Sequence, residues 1–201
     1  MTRSSFIFLL HSSFFMSSAL LDNPSQQLIV VDSKGKETRK VIDRKSAHST
    51  PGIKHLAIQI LVFNSKNELI LHERPLKKVG GGVLDAPTTH ILSGETKEDS
   101  CRRCLLNEYG IFQKIPINVL GGYSYEKDYG DGSCENEFCL AAYCTYDGEL
   151  NPDNSHAPKI IKVAAKQVTK ELNADSKKYP IWFKETVEIV AKDKEGKKFF
   201  D

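Results

Sequence analysis

Residues 88–111, TTHILSGETKEDSCRRCLLNEYGI, predict a short loop, a Gly-Glu turn and one amphipathic helix. Thr96 is followed three residues later by Asp99, a pairing typical of a helix N-terminus, and Gly110 is the residue type that commonly ends a helix. One face of this helix carries residues spaced i, i+3, i+4 and i+7, namely Cys101, Cys104, Leu105 and Glu108.

Glu108 is the residue on this face that a hydrophobic core does not favour. A carboxylate on the buried side of a helix is costly unless a cation compensates its charge. Two interpretations stay open at this point: a buried salt bridge to Arg or Lys, or a metal ion at a functional site.

The composition of the 201-residue chain, 40% hydrophobic and 27% charged, indicates a single globular domain. A net charge of +2 is too small to favour nucleic acid or an acidic membrane surface as a partner. We therefore expect a small-molecule ligand, no nucleic acid, no membrane, and a monomer or small homo-oligomer. Five cysteines at uneven spacing favour reduced thiols in a cytoplasmic protein, although Cys101 and Cys104 form a C-x-x-C whose alternative is a zinc or redox role.

Residues 1–26 are expected to be a leader, either disordered or an over-extended start, and residues 27–201 the domain. The opening MTRSSFIFLLHSSFF imitates a secretory signal, but polar residues break the apolar run and no small-residue cleavage site follows. The run is also too short and too polar to span a bilayer.

The strongest predicted strand is residues 56–63, LAIQILVF, and residues 68–71 return as its hairpin partner. Residues 39–45 are predicted to be a basic connector. Further strands are predicted at residues 27–31, 119–125, 135–146 and 159–165, and helices from residue 167 and over residues 186–194. This order of elements indicates one α+β domain with a mixed sheet flanked by helices.

Histidines and carboxylates outside the helix suggest a metal site. Glu135 and Glu137, in CENEFC, lie two apart in a predicted strand, so both side chains point to one face and repel each other unless protonated or bridged by a cation. His48 and His55 flank the loop STPGIK, and His90 precedes the Gly-Glu turn. Three imidazoles with carboxylates suit a catalytic divalent metal such as zinc, manganese or iron, but the sequence alone does not bring them together.

These stretches resemble the type 1 isopentenyl-diphosphate isomerases, enzymes with a Nudix fold. The resemblance covers about residues 27–183 and rests on five matches in family order: AHSTPGIKH, FNSKNELIL, HILSGE, ENE and YPIWF. It implies a Nudix-like domain that interconverts isopentenyl and dimethylallyl diphosphate by metal-assisted addition and removal of protons.

The resemblance also implies the roles of individual residues. One site for Zn²⁺ or Mn²⁺ would use three histidines and two glutamates: His48, His55, His90, Glu135 and Glu137. Glu108, with a backbone oxygen near Thr88, would hold the Mg²⁺ that accompanies the substrate diphosphate. The basic residues matching the family's diphosphate-binding positions are Arg44, Arg74 and Lys78. Glu137 and Tyr125 would move protons on one side of the substrate, and the ring face of Trp182 would shield the carbocation.

Thr88 is the main departure from the family pattern, because it stands where the family has a catalytic cysteine. A thiol with a pKa near 8.5 can be tuned into an acid or base near neutrality, whereas a hydroxyl without an adjacent base is a poorer proton relay. Cys139, on the predicted strand face of Glu135 and Glu137, is a candidate substitute, and its alternative is a core thiol.

Two other functions stay open. A Nudix hydrolase of a nucleoside or other diphosphate needs several carboxylates along the helix, but Asn107 replaces one of them and leaves Glu108 alone. That loss argues against efficient hydrolysis. The third alternative is a non-catalytic relative that binds metal or prenyl diphosphate.

Overall fold

The structure is a computed structural model that describes residues 23–78 and 80–201. The predicted leader, residues 1–26, falls mostly outside these residues. The strands are β1 Gln27–Val31, β2 Glu37–Asp43, β3 His55–Phe63, β4 Glu68–Glu73, β5 Leu84–Asp85, β6 Thr88–His90, β7 Ile117–Asp128, β8 Cys134–Thr145 and β9 Ile160–Ala164. The α-helices are α1 Arg44–Ala47, α2 Lys97–Tyr109, α3 Ala165–Ala174 and α4 Phe183–Lys192, with 3₁₀ turns at Ser176–Lys178 and Gly196–Phe199.

Strand β3 organises the sheet, and all nine of its residues are buried. Along one edge it pairs in parallel with β8, from His55 opposite Glu137 to Phe63 opposite Thr145. Along the other edge it pairs antiparallel with β1, β6 and β4 in turn. The sheet is therefore mixed, as predicted, and the burial of β3 on both faces is typical of a strand with a parallel neighbour.

Helices cover both faces of the sheet, which confirms the predicted α+β class. Helix α2 packs on the face that carries Ile58, Ile60 and Val62 of β3. Helices α3 and α4 pack on the opposite face, against Leu61 and Phe63. Alternate residues of one strand thus contribute to two apolar layers.

Helix α2 begins and ends where the sequence predicts. The Thr96 hydroxyl accepts a hydrogen bond from the Asp99 amide at 3.1 Å, and Gly110 adopts a left-handed conformation with φ of 68°. The predicted inner face is buried, including Cys101, Cys104, Leu105 and Glu108.

Two local predictions were wrong. Residues 39–45 are not a connector: most of them belong to the exposed edge strand β2, which pairs with β1, and the last two begin α1. Residues 88–90 are not a loop but strand β6, which pairs with residues 57–59 of β3. Both errors have the same cause, since neither segment has the apolar alternation by which a strand is recognised.

The five cysteines are free and buried, in agreement with the expected reduced thiols. Among the residues that the structure describes, no helix is long and apolar enough to cross a membrane.

Candidate functional site

A cavity of about 610 Å³ opens beside the β3–β6 and β7–β8 pairings. All the site residues predicted from the sequence line it or lie at its wall. Those that line it are Arg44, His48, Arg74, Lys78, Thr88, His90, Glu108, Tyr125, Glu135, Glu137 and Trp182. His55 is fully buried behind them.

Strand pairing assembles the three histidines. His55 lies opposite Glu137 in the β3–β8 register, and His90 lies opposite Ala57, two residues further along β3. His48 follows α1, and its carbonyl accepts a hydrogen bond from the Cys134 amide at the start of β8. The imidazole ring centroids are 4.7–5.0 Å apart.

His48 and His55 point acceptor atoms at the glutamates, whereas His90 Nε2 donates to Glu137 Oε1 at 3.0 Å. His48 Nδ1 donates to the Arg44 carbonyl at 2.8 Å and His55 Nδ1 to the Ile53 carbonyl at 2.7 Å, because a carbonyl can only accept. In each neutral ring the Nε2 atom therefore carries a lone pair. His55 Nε2 nevertheless lies 3.3 Å from Glu137 Oε1. Two acceptors at that distance repel unless a proton or a cation lies between them.

Four side chains meet the geometry of a metal site. One ligand atom from each of His48, His55, His90 and Glu137 lies within 4.8 Å of the others. Glu135 lies beside this group, with Oε2 3.3 Å from His48 Nε2. Neither His55 Nε2 nor Glu135 Oε2 has a hydrogen-bond partner among the described residues. A divalent cation would satisfy both.

The electrostatics of the carboxylate pair also favour a cation. Burial and the neighbouring charge of Glu137 raise the pKa of Glu135. Against the effect of burial, His55 and His90 hold the pKa of Glu137 well below its usual range. Burial lowers the pKa of His90 to about 3, so this imidazole is neutral at physiological pH, the form that binds metals.

Tyr125 contacts Glu137, and Trp182 lies beside Tyr125. The Tyr125 hydroxyl donates to Glu137 Oε2 at 2.5 Å, and Tyr125 lies opposite Glu137 in the β7–β8 register. Burial and the Glu137 charge raise the pKa of Tyr125 well above its usual value, so its hydroxyl keeps its proton. The Trp182 ring lies 5.5 Å from the Tyr125 ring, centroid to centroid.

The predicted basic residues lie in the same cavity. Arg74 pairs with Asp85 at 3.1 Å, and Lys78 Nζ donates to His156 Nδ1 at 2.6 Å. Arg44 Nη1 reaches Gln26 Oε1 at 3.4 Å. Lys45 and Lys77 add two cations that the sequence analysis did not single out. The cavity thus combines a carboxylate–imidazole end with several cations, a suitable arrangement for an anion.

Thr88 is held by the protein on both sides of its hydroxyl. It donates to the Ala86 carbonyl at 2.8 Å and accepts from Gln59 Nε2 at 3.1 Å. No carboxylate or imidazole is bonded to this hydroxyl in the described part of the chain, so it has no base beside it. Cys139 does not line the cavity; it is buried, and its thiol donates to the Leu140 carbonyl. This placement corresponds to the core thiol alternative.

Glu108 lies on the cavity wall formed by α2 and is 8% exposed. Cys104 and Asn107 are its neighbours from the same helix in that wall. Among the residues of α2 that line the cavity, Glu108 is the one carboxylate.

Arg103 lines the cavity and is a residue that the sequence analysis did not single out. Its guanidinium donates to both Glu95 oxygens, at 2.6 and 2.9 Å, and to the His90 carbonyl at 2.8 Å. It thereby fixes the backbone of a predicted metal ligand to α2. Burial opposes the shift, but hydrogen bonds from Arg103 and Ser100 lower the pKa of Glu95. The eight-residue Glu95–Arg103 spacing is the signal that identifies this pair.

The sequence of the chain matches a known domain family over most of its length. The NUDIX domain model matches residues 53–183. The chain is 30% identical to isopentenyl-diphosphate Delta-isomerase 2 of Aromatoleum aromaticum over 158 residues, 77% of this chain and 78% of the relative. It is 25% identical to isopentenyl-diphosphate Delta-isomerase of Pectobacterium atrosepticum over 167 residues, 81% of this chain and 90% of the relative.

Solved structures support the fold alone. DR0079 from Deinococcus radiodurans aligns with a TM-score of 0.61 at 16% identity, covering 81% of this chain and 97% of that one. The MutT protein from Methanosarcina mazei Go1 aligns with a TM-score of 0.54 at 15% identity, covering 67% of this chain and 91% of that one.

Proposed function

The chain belongs to the NUDIX domain family, among the isopentenyl-diphosphate isomerases, and we propose on that premise that it interconverts isopentenyl and dimethylallyl diphosphate. The reaction adds a proton to the alkene and removes another from the far side of the resulting tertiary cation. The observation that carries the proposal is the group of possible ligand atoms of His48, His55, His90 and Glu137, clustered beside one cavity that also holds cations.

The metals are part of this proposal. A divalent ion, Zn²⁺ or Mn²⁺, would be held by His48, His55, His90, Glu135 and Glu137. Glu108 would hold the Mg²⁺ that accompanies the diphosphate. When bound, these ions supply positive charge that neutralises the carboxylates and the diphosphate. The unpartnered His55 Nε2 and Glu135 Oε2 atoms support such a ligand set.

Tyr125 and Glu137 would handle the proton on one side of the substrate. Burial keeps the Tyr125 hydroxyl protonated, and this hydroxyl is bonded to Glu137 Oε2. A phenol that can donate a proton is therefore in contact with a carboxylate that can accept one. Trp182 would cover the carbocation, because the face of an indole attracts positive charge and its bulk excludes water.

Arg44, Arg74 and Lys78, which line the same cavity, would bind the diphosphate. Thr88 would contribute little to proton transfer, because its hydroxyl already donates to the Ala86 carbonyl and accepts from the Gln59 amide. We therefore propose a slow isomerase. A cytoplasmic location and a monomeric or small homo-oligomeric state belong to the same proposal.

One observation favours a second candidate. The Thr88 hydroxyl is hydrogen-bonded to Ala86 and Gln59 and has no base beside it. The same arrangement would suit a non-catalytic relative that binds metal and prenyl diphosphate. Hydrolysis is less well supported, since α2 presents Glu108 as its single cavity carboxylate among the described residues.

Deuterium uptake separates these functions. The full chain is loaded with Zn²⁺ or Mn²⁺ and incubated with isopentenyl diphosphate and Mg²⁺ in D₂O, and NMR follows deuterium in both diphosphates. We expect slow uptake that Glu137→Gln abolishes. Glu126→Gln is the matched control, because Glu126 is exposed on the same strand as Tyr125 and pairs with Lys54.

Binding without uptake would support the non-catalytic relative, and release of phosphate that Glu108→Gln prevents would support a hydrolase. Either result refutes the isomerase.

A further inference from the structure

Asp85 is a fully buried carboxylate whose role the reaction described above does not explain. It ends β5, is 0% exposed and does not line the cavity. Its Oδ1 atom accepts from Gln59 Nε2 and from the Ala86 amide, both at 2.8 Å. Its Oδ2 atom accepts from Arg74 Nη1 at 3.1 Å. A buried charge of this kind persists only where such partners compensate it.

One of these connections leads to Arg74, a cavity cation that is proposed to bind the diphosphate. Arg74 is held at its backbone by Val83 and Gly82, each at 2.8 Å, and at its guanidinium by Asp85. The guanidinium carbon lies 5.2 Å from the centre of the Trp182 ring. Asp85 therefore sets where the guanidinium of Arg74 stands relative to the indole.

The second connection leads to Thr88 in the cavity wall. The side-chain amide of Gln59 donates to Asp85 Oδ1 and to Thr88 Oγ1. Gln59 is itself fully buried, so this amide has little freedom to turn. The Asp85 carboxylate thus bonds Arg74 directly and is linked to Thr88 through the Gln59 amide.

The two oxygens of Asp85 have separable tasks. An asparagine at this position would keep an Oδ1 acceptor for Gln59 and Ala86 but would present an N–H group to the Arg74 guanidinium. The bonds that hold the fold need only a neutral acceptor, whereas the bond to Arg74 needs the charge. Burial raises the pKa of Asp85, and Arg74, the Ala86 amide and the Trp182 indole act against that shift.

We propose that Asp85 is a positioning residue that fixes the Arg74 guanidinium beside the Trp182 ring and, through Gln59, relative to Thr88. The diphosphate bound by Arg74 would then be held at a fixed distance from the carbons of the substrate that react. This inference rests on the proposed function, in that Arg74 must bind the diphosphate.

Trp182, the single tryptophan of the chain, gives a direct readout. Its emission is followed while the full-length protein with Mg²⁺ is titrated with inorganic pyrophosphate, a probe that needs no turnover. We expect Asp85→Asn to raise the pyrophosphate Kd about 10-fold, a typical effect of releasing one charge-assisted contact. Asp193→Asn is the control, because Asp193 anchors Tyr143 and Gly196 away from the cavity.

A double-mutant cycle separates positioning from general destabilisation. In an Arg74→Gln background, Asp85→Asn should raise the Kd less than about twofold further, because the group it positions is already gone. A merely structural role would give the same fold-change in both backgrounds. Thermal unfolding of each variant identifies any that are not folded, and Asp85→Glu serves as a second, charge-retaining variant that should restore part of the affinity.

The outcomes distinguish this inference from the proposed function. An unchanged Kd in Asp85→Asn, or fully additive effects, overturns the inference even if the wild type isomerises its substrate. Coupled effects on pyrophosphate binding without deuterium uptake support the inference while the isomerase proposal fails. A wild type that binds no pyrophosphate refutes both.

Discussion

Thr88→Cys is expected to accelerate isomerisation by about 100-fold. General acid or base catalysis contributes roughly 10²–10⁴-fold, and a thiol with a pKa near 8.5 can take that part near neutrality. The Thr88 hydroxyl cannot, because its proton is donated to the Ala86 carbonyl at 2.8 Å and its oxygen accepts from Gln59 at 3.1 Å. The structure places the expected gain at the lower end of the range, since the same carbonyl would compete for the thiol proton.

The gain follows from two parts. Freeing the hydroxyl from Ala86 costs about 1 kcal/mol, the net value of a neutral hydrogen bond, and this alone is about fivefold in rate. The rest comes from the lower pKa of a thiol. Thr88→Ser keeps the hydroxyl and should match the wild type, while Thr88→Val removes it and should reduce activity only slightly.

The assay is deuterium uptake from D₂O into isopentenyl and dimethylallyl diphosphate, with metal content and pyrophosphate affinity measured on the same samples. A Thr88→Cys variant that binds metal and pyrophosphate normally but is no faster than wild type would refute the reasoning. A large loss of activity in Thr88→Val would refute it as well, because the hydroxyl would then be a working proton relay.

Two further predictions concern the metal ligands and the support of α2. Removing His55 should lower the affinity for Zn²⁺ or Mn²⁺ by more than about 100-fold, since losing even an outer-shell partner costs about 10–100-fold; metal content after dialysis against a chelator measures this. His72→Gln is the matched control, because His72 is equally buried but bonds Tyr109 instead, and equal metal loss in both variants would contradict the assignment. Replacing Glu95 by Gln should reduce the free energy of unfolding by about 1–2 kcal/mol near pH 7, because Glu95 bonds Arg103 through both oxygens. The pKa of Glu95 is lowered in the folded state, so its stabilisation is present above the unfolded value of about 4.3 and is lost as the pH falls through the folded pKa. Urea unfolding of the wild type and the variant near pH 7 and at roughly pH 3 should therefore give a smaller difference in the free energy of unfolding at the lower pH. An equal difference at both pH values would oppose this account.

Sequence pattern predicts the elements whose burial is periodic. Strand β3 and helix α2 follow from apolar spacing and caps, because β3 is buried along its whole length and α2 buries one face. Strand β2 is exposed along most of its length, and β6 has three residues, so neither has a pattern to detect. Strand β2 is the hairpin partner of β1, whereas the position of β6 depends on β3, which is distant in the chain.

The convergence of the site could not be derived from spacing alone. His55 and Glu137 meet because β3 and β8 run in parallel, a register set by long-range pairing over about 80 residues of chain. From the sequence, only the resemblance to a family predicted that His55 and Glu137 belong to one site. Gln59 is different, because a buried amide inside LAIQILVF is visible in the sequence as a polar residue that must find partners.

Those partners explain why a hydroxyl suits position 88 of this chain. The Gln59 amide uses its N–H groups on Asp85 and Thr88, so the residue at 88 must accept a hydrogen bond while donating one to Ala86. A hydroxyl does both well, whereas a thiol is a weak donor and a weak acceptor. Thr88 therefore stabilises the wall of the cavity, at the position where a cysteine would supply a thiol. In the proposed reaction we therefore expect proton transfer to depend on the Tyr125–Glu137 pair, where a hydroxyl and a carboxylate lie in contact across the β7–β8 pairing.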